Sequence, residues 1–360
     1  MKQLVAVITA LALAFTLAMP ASAAKFKDVS DSYSLAIEIN YLAEKGIIGG
    51  YEDGTFRPSN TIAKKHIARM VVKALNLPKD NLKKPSYKDI PTTHLYYEDI
   101  AAAYTAGLFD DASYFQPDAT ITRAFMAQIL AKAFNLKSIA ANSVSYKDVP
   151  ASSPYYTPIQ LVTMNNIAKG YTEDGTFRPD KVITRAHFSA FLARALSLSG
   201  GDFTPEVGYK YFYEDAGKYA YRMELDGQNT TGGMTYKYWN LFDNASNEKM
   251  DYLMYVTSPS HYYEGVPQSD VGTTIEFPFT IGRKGESPGY LSRNVLNTKV
   301  TIEIAGKTYD DVVIVEETMP NGGGGTEKIT TYYAKGHGII AYKNTDGYFT
   351  YWLTDRVAAQ

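Results

Sequence analysis

The chain has 360 residues, enough for two or three domains, and its 36 Lys and Arg nearly balance 38 Asp and Glu. It has no cysteine, which excludes disulfides, thiolate metal sites, a cysteine nucleophile and a lipidated N-terminal cysteine. Residues 24–200 carry 21 basic against 17 acidic side chains and residues 201–360 carry 14 against 21. That split favours an anionic partner for the first half, but it is far too small to suggest nucleic acid.

Met1-Lys2, an apolar run from Leu4 to Met19, and Ala21-Ser22-Ala23 have the order of a secretory signal peptide, expected to be cut after Ala23. The alternative is a retained anchor, but the apolar run is short for crossing a bilayer. With no later apolar span, the expectation is export followed by release or non-covalent retention.

Three segments then begin alike: Phe26-Lys27-Asp28-Val29, Tyr87-Lys88-Asp89-Ile90 and Tyr146-Lys147-Asp148-Val149. In the first, Leu35, Ile39 and Leu42 fall on one helical face that ends by Gly46. A turn-rich stretch follows, Gly50-Tyr51-Glu52-Asp53-Gly54-Thr55-Phe56-Arg57-Pro58, and the third segment repeats it from Gly170 to Pro179. Asp-Gly supplies a tight turn, and the proline leads into a second helix. That helix opens Ile62-Ala63-Lys64, Ile121-Thr122-Arg123 or Ile183-Thr184-Arg185. It carries an apolar stripe such as Ile67, Met70, Val71, Ala74 and Leu75. A unit of this size cannot bury such a stripe alone, so the three copies are expected to pack around a shared core.

Thr122 and Thr184 are suited to cap their helices. Arg123 and Arg185 then stand in the first turn, where the helix dipole disfavours a cation. Two readings account for this. Either an anion binds beside the helix end, or the arginine pairs with an aspartate of a neighbouring repeat as packing.

These motifs resemble the S-layer homology (SLH) family, whose units run from F-x-D-V through G-x-x-D-G-T-F-x-P to an I-T-R-A-E helix start. The resemblance covers residues 26–198, as units 26–78, 87–137 and 146–198. It implies a pseudo-threefold, all-α module that binds anionic secondary cell-wall polysaccharide, often pyruvylated. The polymer-contacting set it points to is Arg123, Arg185, Thr122, Thr184, Lys64, Gly54 and Gly175.

This sequence departs from the family pattern in several places. His66, Phe125 and His187 stand where the family has glutamate, which removes the reciprocal capping box. Ala63-Lys64 replaces Thr-Arg, so the first copy lacks the cap and the planar fork but keeps a charge. The second copy lacks the Asp-Gly turn, reading Phe109-Asp110-Asp111-Ala112-Ser113-Tyr114-Phe115-Gln116-Pro117. Ser34, Leu95 and Pro154 replace a tryptophan common near the first helix, with Tyr33, Tyr96 and Tyr155 adjacent.

Ser197 to Gly201 marks a boundary, and from Tyr209 apolar residues alternate. About ten strands are expected over 206–357. They include 219–225, 236–242, 252–256, 275–281, 300–304, 312–315, 329–333, 338–342 and 348–353. Their expected turns are Asp226-Gly227, Gly232-Gly233, Gly306-Lys307, 321–325 and 344–347. The pattern suggests an antiparallel open barrel or strongly curved sheet, making the whole chain multidomain α+β. Residues 331–340, following 310–315, resemble a hairpin of secreted bacterial envelope β-proteins, in which an aliphatic residue usually stands at His337.

No G-x-S-x-G, H-E-x-x-H or EF-hand spacing occurs, and no cofactor or metal is implied. Glu214-Asp215 and Asp310-Asp311 could serve as catalytic carboxylates, but such pairs usually end strands in solvent. The β half holds eighteen tyrosines, which the plainer reading places mostly on outward faces. The expectation is therefore a non-enzymatic surface anchor displaying a β domain that binds an unidentified ligand or partner. The alternative class is a wall- or glycan-acting hydrolase with its site in the β half.

Overall fold

Each of the three repeats folds as two helices joined by the turn-rich loop. The computed structural model describes residues 26–139, 143–232, 234–258, 261–266, 272–286, 292–320 and 324–359. The expected signal peptide, 1–23, lies outside them. The helices are α1 Ala36–Glu44 and α2 Lys64–Leu75, α3 Tyr97–Thr105 and α4 Arg123–Ala133, then α5 Tyr156–Met164 and α6 Arg185–Ser197. Shortly after each first helix a residue in the left-handed region turns the chain: Gly46, Gly107 and Asn166. These are the residue types that adopt this conformation at least cost.

The repeats close into a ring. α2 packs on α3, α4 on α5 and α6 on α1, so each prong combines two repeats. Near the axis, short antiparallel bridges join Ala63 to Thr120, Thr122 to Val182 and Thr61 to Thr184. Phe56, Phe115 and Phe177, the phenylalanines of the three loops, are fully buried in one common core. Each contributes roughly 1.5–3 kcal/mol through burial.

Among the described residues the second half is one antiparallel sheet of twelve strands. In chain order they are β1 Tyr209–Asp215, β2 Ala220–Thr231, β3 Met234–Asp243, β4 Lys249–Thr257, β5 His261–Gly265, β6 Gly272–Glu276, β7 Gly285–Glu286, β8 Ser292–Ile304, β9 Lys307–Pro320, β10 Thr326–Ala334, β11 Gly338–Lys343 and β12 Phe349–Ala358. The spatial order is 7-6-5-4-3-2-1-12-11-10-9-8. Edge strands β7 and β8 approach each other through a bridge between Lys284 and Asn294. The meander therefore curls until its two ends meet.

Three sequence expectations need correction here. Asp226-Gly227 is no turn: it lies inside β2, where the register slips between Leu225 and Gly227 against β3. A glycine inside a strand often marks such a bulge. The strand expected over 275–281 stops at Glu276, two residues before Pro278, which cannot donate to a ladder. Seven of the tyrosines are not outward. Tyr211, Tyr213, Tyr255, Tyr262, Tyr309, Tyr332 and Tyr333 are buried, because strong curvature makes one whole face of the sheet into core and large rings fill its width.

The boundary segment after α6 is docked rather than free. Ser199 pairs with Phe279 in both directions, and Phe203 is fully buried in the sheet core. The backbone N–H of Ile281 donates to Ser197 Oγ at 2.9 Å, and the Ile281 side chain enters the helical core. Gly282 lies against Glu38 of α1, which itself pairs with Arg194 of α6.

Candidate functional site

The loop that follows each first helix is held by the aspartate of the opening motif. Asp28 accepts from the backbone N–H of Phe56 and Arg57, Asp89 from Phe115 and Gln116, and Asp148 from Phe177 and Arg178, all at 2.6–2.8 Å. In the sequence these aspartates stand out only as repeat markers. Their recurrence just before the helix was the available signal. Gly54 and Gly175 take positive φ at the turn, and their carbonyls accept from Lys27 and Lys147. They shape the loops. In the second repeat Ser113 accepts in the same way without a glycine.

Thr122 and Thr184 cap α4 and α6, accepting from the N–H of Phe125 and His187 at 3.3 Å. The Thr184 hydroxyl also meets His187 Nδ1 at 2.8 Å. Ala63 gives α2 no such cap. The next N–H groups face the neighbouring repeat. Arg123 and Ala124 donate to Lys181 and Pro179, Arg185 and Ala186 to Asn60 and Pro58, and Lys64 and Lys65 to Ala119 and Pro117. The helix ends are thus closed by carbonyls rather than left open for an anion.

Within the chain the arginines' partners are carbonyls of the neighbouring repeat, not the aspartates of the packing reading. Arg123 donates from Nε to Phe177 O at 2.8 Å and from Nη2 to Lys169 O at 2.9 Å. Arg185 does the same to Phe56 O and Gly49 O, at 2.9 and 3.1 Å. Each guanidinium lies against the phenylalanine of the next loop, 4.4 and 4.5 Å from the ring centre. The physical reason is the ring closure, which aims each fork at the loop of the next repeat. Burial works against the charge of both, so the grooves concentrate positive potential at little-hydrated sites.

The two arginine grooves share a further arrangement. In one, the Tyr171 ring carries Arg178 at 3.6 Å and Arg123 at 5.3 Å, and its hydroxyl accepts from Lys181 Nζ at 3.0 Å. In the other, the Tyr51 ring carries Arg57 at 3.7 Å and Arg185 at 5.2 Å. Asp53 and Asp174, held near pKa 2 by hydrogen bonds from Thr55 and Thr176, fix Arg57 and Arg178 over those rings.

The Lys64 groove differs. Its ammonium sits 4.5–5.7 Å from the Phe109, Phe115 and Phe125 rings, and burial lowers its pKa. Phe109 stands where the first loop has Gly50, and Gln116 where it has Arg57.

In the β half the acidic pairs end in local contacts. Asp310 accepts from Thr301, Asp311 pairs with Lys335 in solvent, and Asp215 accepts from the Tyr219 N–H. His337 Nδ1 meets Lys335 O at 2.8 Å beside a depression of about 340 Å³ edged by Tyr309 and Arg356. His261 is exposed at the start of β5.

The sheet interior holds polar groups where alternation leads one to expect apolar residues. Arg293 and Glu317 form a buried ion pair there, and the Tyr213, Tyr221 and Tyr351 rings stack at 5.0–5.6 Å. Tyr262 OH donates to Glu264 Oε2 at 3.1 Å. Burial, reinforced by Glu317, raises the Glu264 pKa to about 8, yet part of its surface remains accessible.

Three helical pairs closed into a ring, each resting on the next unit's loop, define a three-pronged repeat module. The S-layer homology domain family matches residues 25–65, 86–127 and 145–189, so the first half of this chain is three S-layer homology domains, followed by an antiparallel β domain. An S-layer protein of Bacillus thuringiensis subsp. finitimus is 30% identical over 197 residues, 54% of this chain and 24% of its own length. An uncharacterized cell wall amidase of Bacillus anthracis is 33% identical over 160 residues, 43% of this chain and 29% of its own. The chain therefore spans less than a third of either relative. Among solved structures, a lipoprotein from Parabacteroides distasonis covers 44% of this chain and all of its own at 11% identity, with a TM-score of 0.32. That likeness is too low to decide anything. S-layer homology domains and S-layer relatives mark a secreted, cell-wall-associated protein. Among the described residues no helix is long and apolar enough to cross a membrane.

Proposed function

We propose that the triple-repeat module holds this protein non-covalently on the cell surface by binding an anionic, pyruvylated secondary cell-wall polysaccharide, and so displays the β domain. One observation carries the reading. At two of three equivalent positions an arginine fork, a second arginine and a tyrosine ring converge on one loop. Planar guanidinium suits a ketal carboxylate, and a tyrosine face suits a sugar ring. The third position is filled by phenylalanines around Lys64 and contributes packing, not polymer contact.

The test is co-sedimentation of the full chain with purified walls, before and after the secondary polymer is removed. Retention is expected only on walls that keep the polymer. Equal binding to stripped peptidoglycan would sink the reading.

A second reading makes the β domain a wall-acting hydrolase. It is favoured by Glu264, a carboxylic acid that keeps its proton near neutral pH inside a tyrosine-lined interior, as a general acid must. Turnover of muropeptides by the full chain, lost in Glu264→Gln, would establish it. No turnover by the full chain would dismiss it.

A further inference from the structure

The β domain leans on the loop of the third repeat. Between them lies a crevice of about 450 Å³, within the roughly 300–1,000 Å³ typical of small-ligand sites. Its helical side includes Ser143, Ser145, Tyr171 and Thr172, and its sheet side His261 and Glu276. We infer that this crevice is a continuation of the Arg123 groove, in which the β domain grips the uncharged sugars adjoining the anionic residue. The inference rests on the polymer-binding reading above.

Continuity is the first argument. Tyr171, whose ring carries Arg178 and Arg123, also lines the crevice. Arg123 Nη2 donates to the carbonyl of Lys169, and the Lys169 ammonium pairs with Glu276 of β6. One short run of contacts therefore leads from the groove to the β domain. Rigidity is the second. Asn166 Nδ2 donates to Phe277 O at 2.9 Å and Arg283 Nε donates to Asn166 O at 2.8 Å, so the two walls are fastened together. A ligand entering meets a preformed gap and bears little ordering cost.

Chemistry is the third. The Lys169 charge is cancelled by Glu276, and the remaining surface offers hydroxyls, an aromatic ring and an imidazole. Such a lining suits a neutral, hydroxyl-rich sugar rather than a second carboxylate. The Arg185 groove is more open: its Tyr51 is 39% exposed, and the β-domain walls of the crevice lie at the third repeat.

The experiment is calorimetric titration of the full chain with secondary polysaccharide released from purified walls and separated by length. Thr172→Trp fills the crevice, and His261→Ala removes the imidazole from its sheet side. Both are expected to weaken the longest fragments about tenfold and leave the shortest binding fragment unchanged. Unaltered long-fragment affinity in both variants would overturn the inference, and so would an equal loss at every length. Arg123→Met serves as the control for the underlying reading. It should weaken every length, and if it weakens none, the groove itself is misassigned.

Discussion

Arg185 donates from Nε to the carbonyl of Phe56 at 2.9 Å, joining positions 129 residues apart. The equivalent bond from Arg123 reaches Phe177, and Arg123 is 6% exposed. These arginines are therefore ring fasteners, whatever else they bind. Arg123→Met should cost about 1–3 kcal/mol in urea denaturation, because two buried carbonyls lose a donor. Lys64→Met should stay within about 0.5 kcal/mol, since its surroundings are phenyl rings. Equal costs for the two would mean that the carbonyl bonds contribute nothing.

The aspartates of the opening motifs should matter for stability more than for binding. Asp148→Ala frees the N–H groups of Phe177 and Arg178. Charge-assisted bonds of this kind contribute about 1.5–3 kcal/mol, and the loss should appear as a lower denaturation midpoint. Asp148→Asn, which can accept only from one carbonyl oxygen, should fall between. An unchanged midpoint in both variants would remove the proposed clamp.

Gly282 predicts how the two halves communicate. Its φ is +72°, and a Cβ there would lie 2.3 Å from the Glu38 carboxyl. Gly282→Ala should therefore strain the backbone and push against the Glu38–Arg194 pair, costing about 1–3 kcal/mol. Limited proteolysis near residues 199–205 should speed up as the junction loosens. Cleavage at the wild-type rate would show that the junction absorbs a methyl group freely.

Glu264 gives the β domain a pH dependence of definite sign. Its pKa is raised from 4.5 to about 8 in the folded state, so the fold favours the protonated form. The associated stability is fully present below about pH 4.5 and is lost as pH rises through about 8, at about 1.4 kcal/mol per unit of pKa difference. Glu317 is shifted in the same direction. Urea titrations followed by tyrosine near-UV circular dichroism should show a fall that runs from about pH 4.5 to about pH 8. Glu264→Gln should flatten more than half of it. A wild-type profile without that drop would contradict the enclosed position of this acid.

Much of the helical half was legible because its information is local. Cap residues, the turn glycines and apolar spacing lie within a few positions of what they determine, as Thr122 and Gly175 illustrate. The destinations of Arg123 and Arg185 were hidden, because ring closure pairs each with a loop of another repeat, and only the closed geometry shows that carbonyls await them. In the β half the alternation of Tyr209, Tyr211 and Tyr213 announced a strand. It could not say which face the curvature would enclose. β5 was missed because His261-Tyr262-Tyr263-Glu264-Gly265 does not alternate in polarity: its charged residue points inward, to Tyr262. An inward-pointing acid is the exception that pattern reading trades away.

Cyclic packing has a consequence for the first repeat. Its lysine groove is the poorest in chemistry, yet the backbone of Arg185 closes on Asn60 and that of Lys64 on Ala119. A linear stack can shed or gain a terminal member and merely change length. A closed triangle cannot: without its lysine corner, the two arginine corners would lose the neighbours that aim their side chains. The copy with the poorest groove is the keystone of the other two.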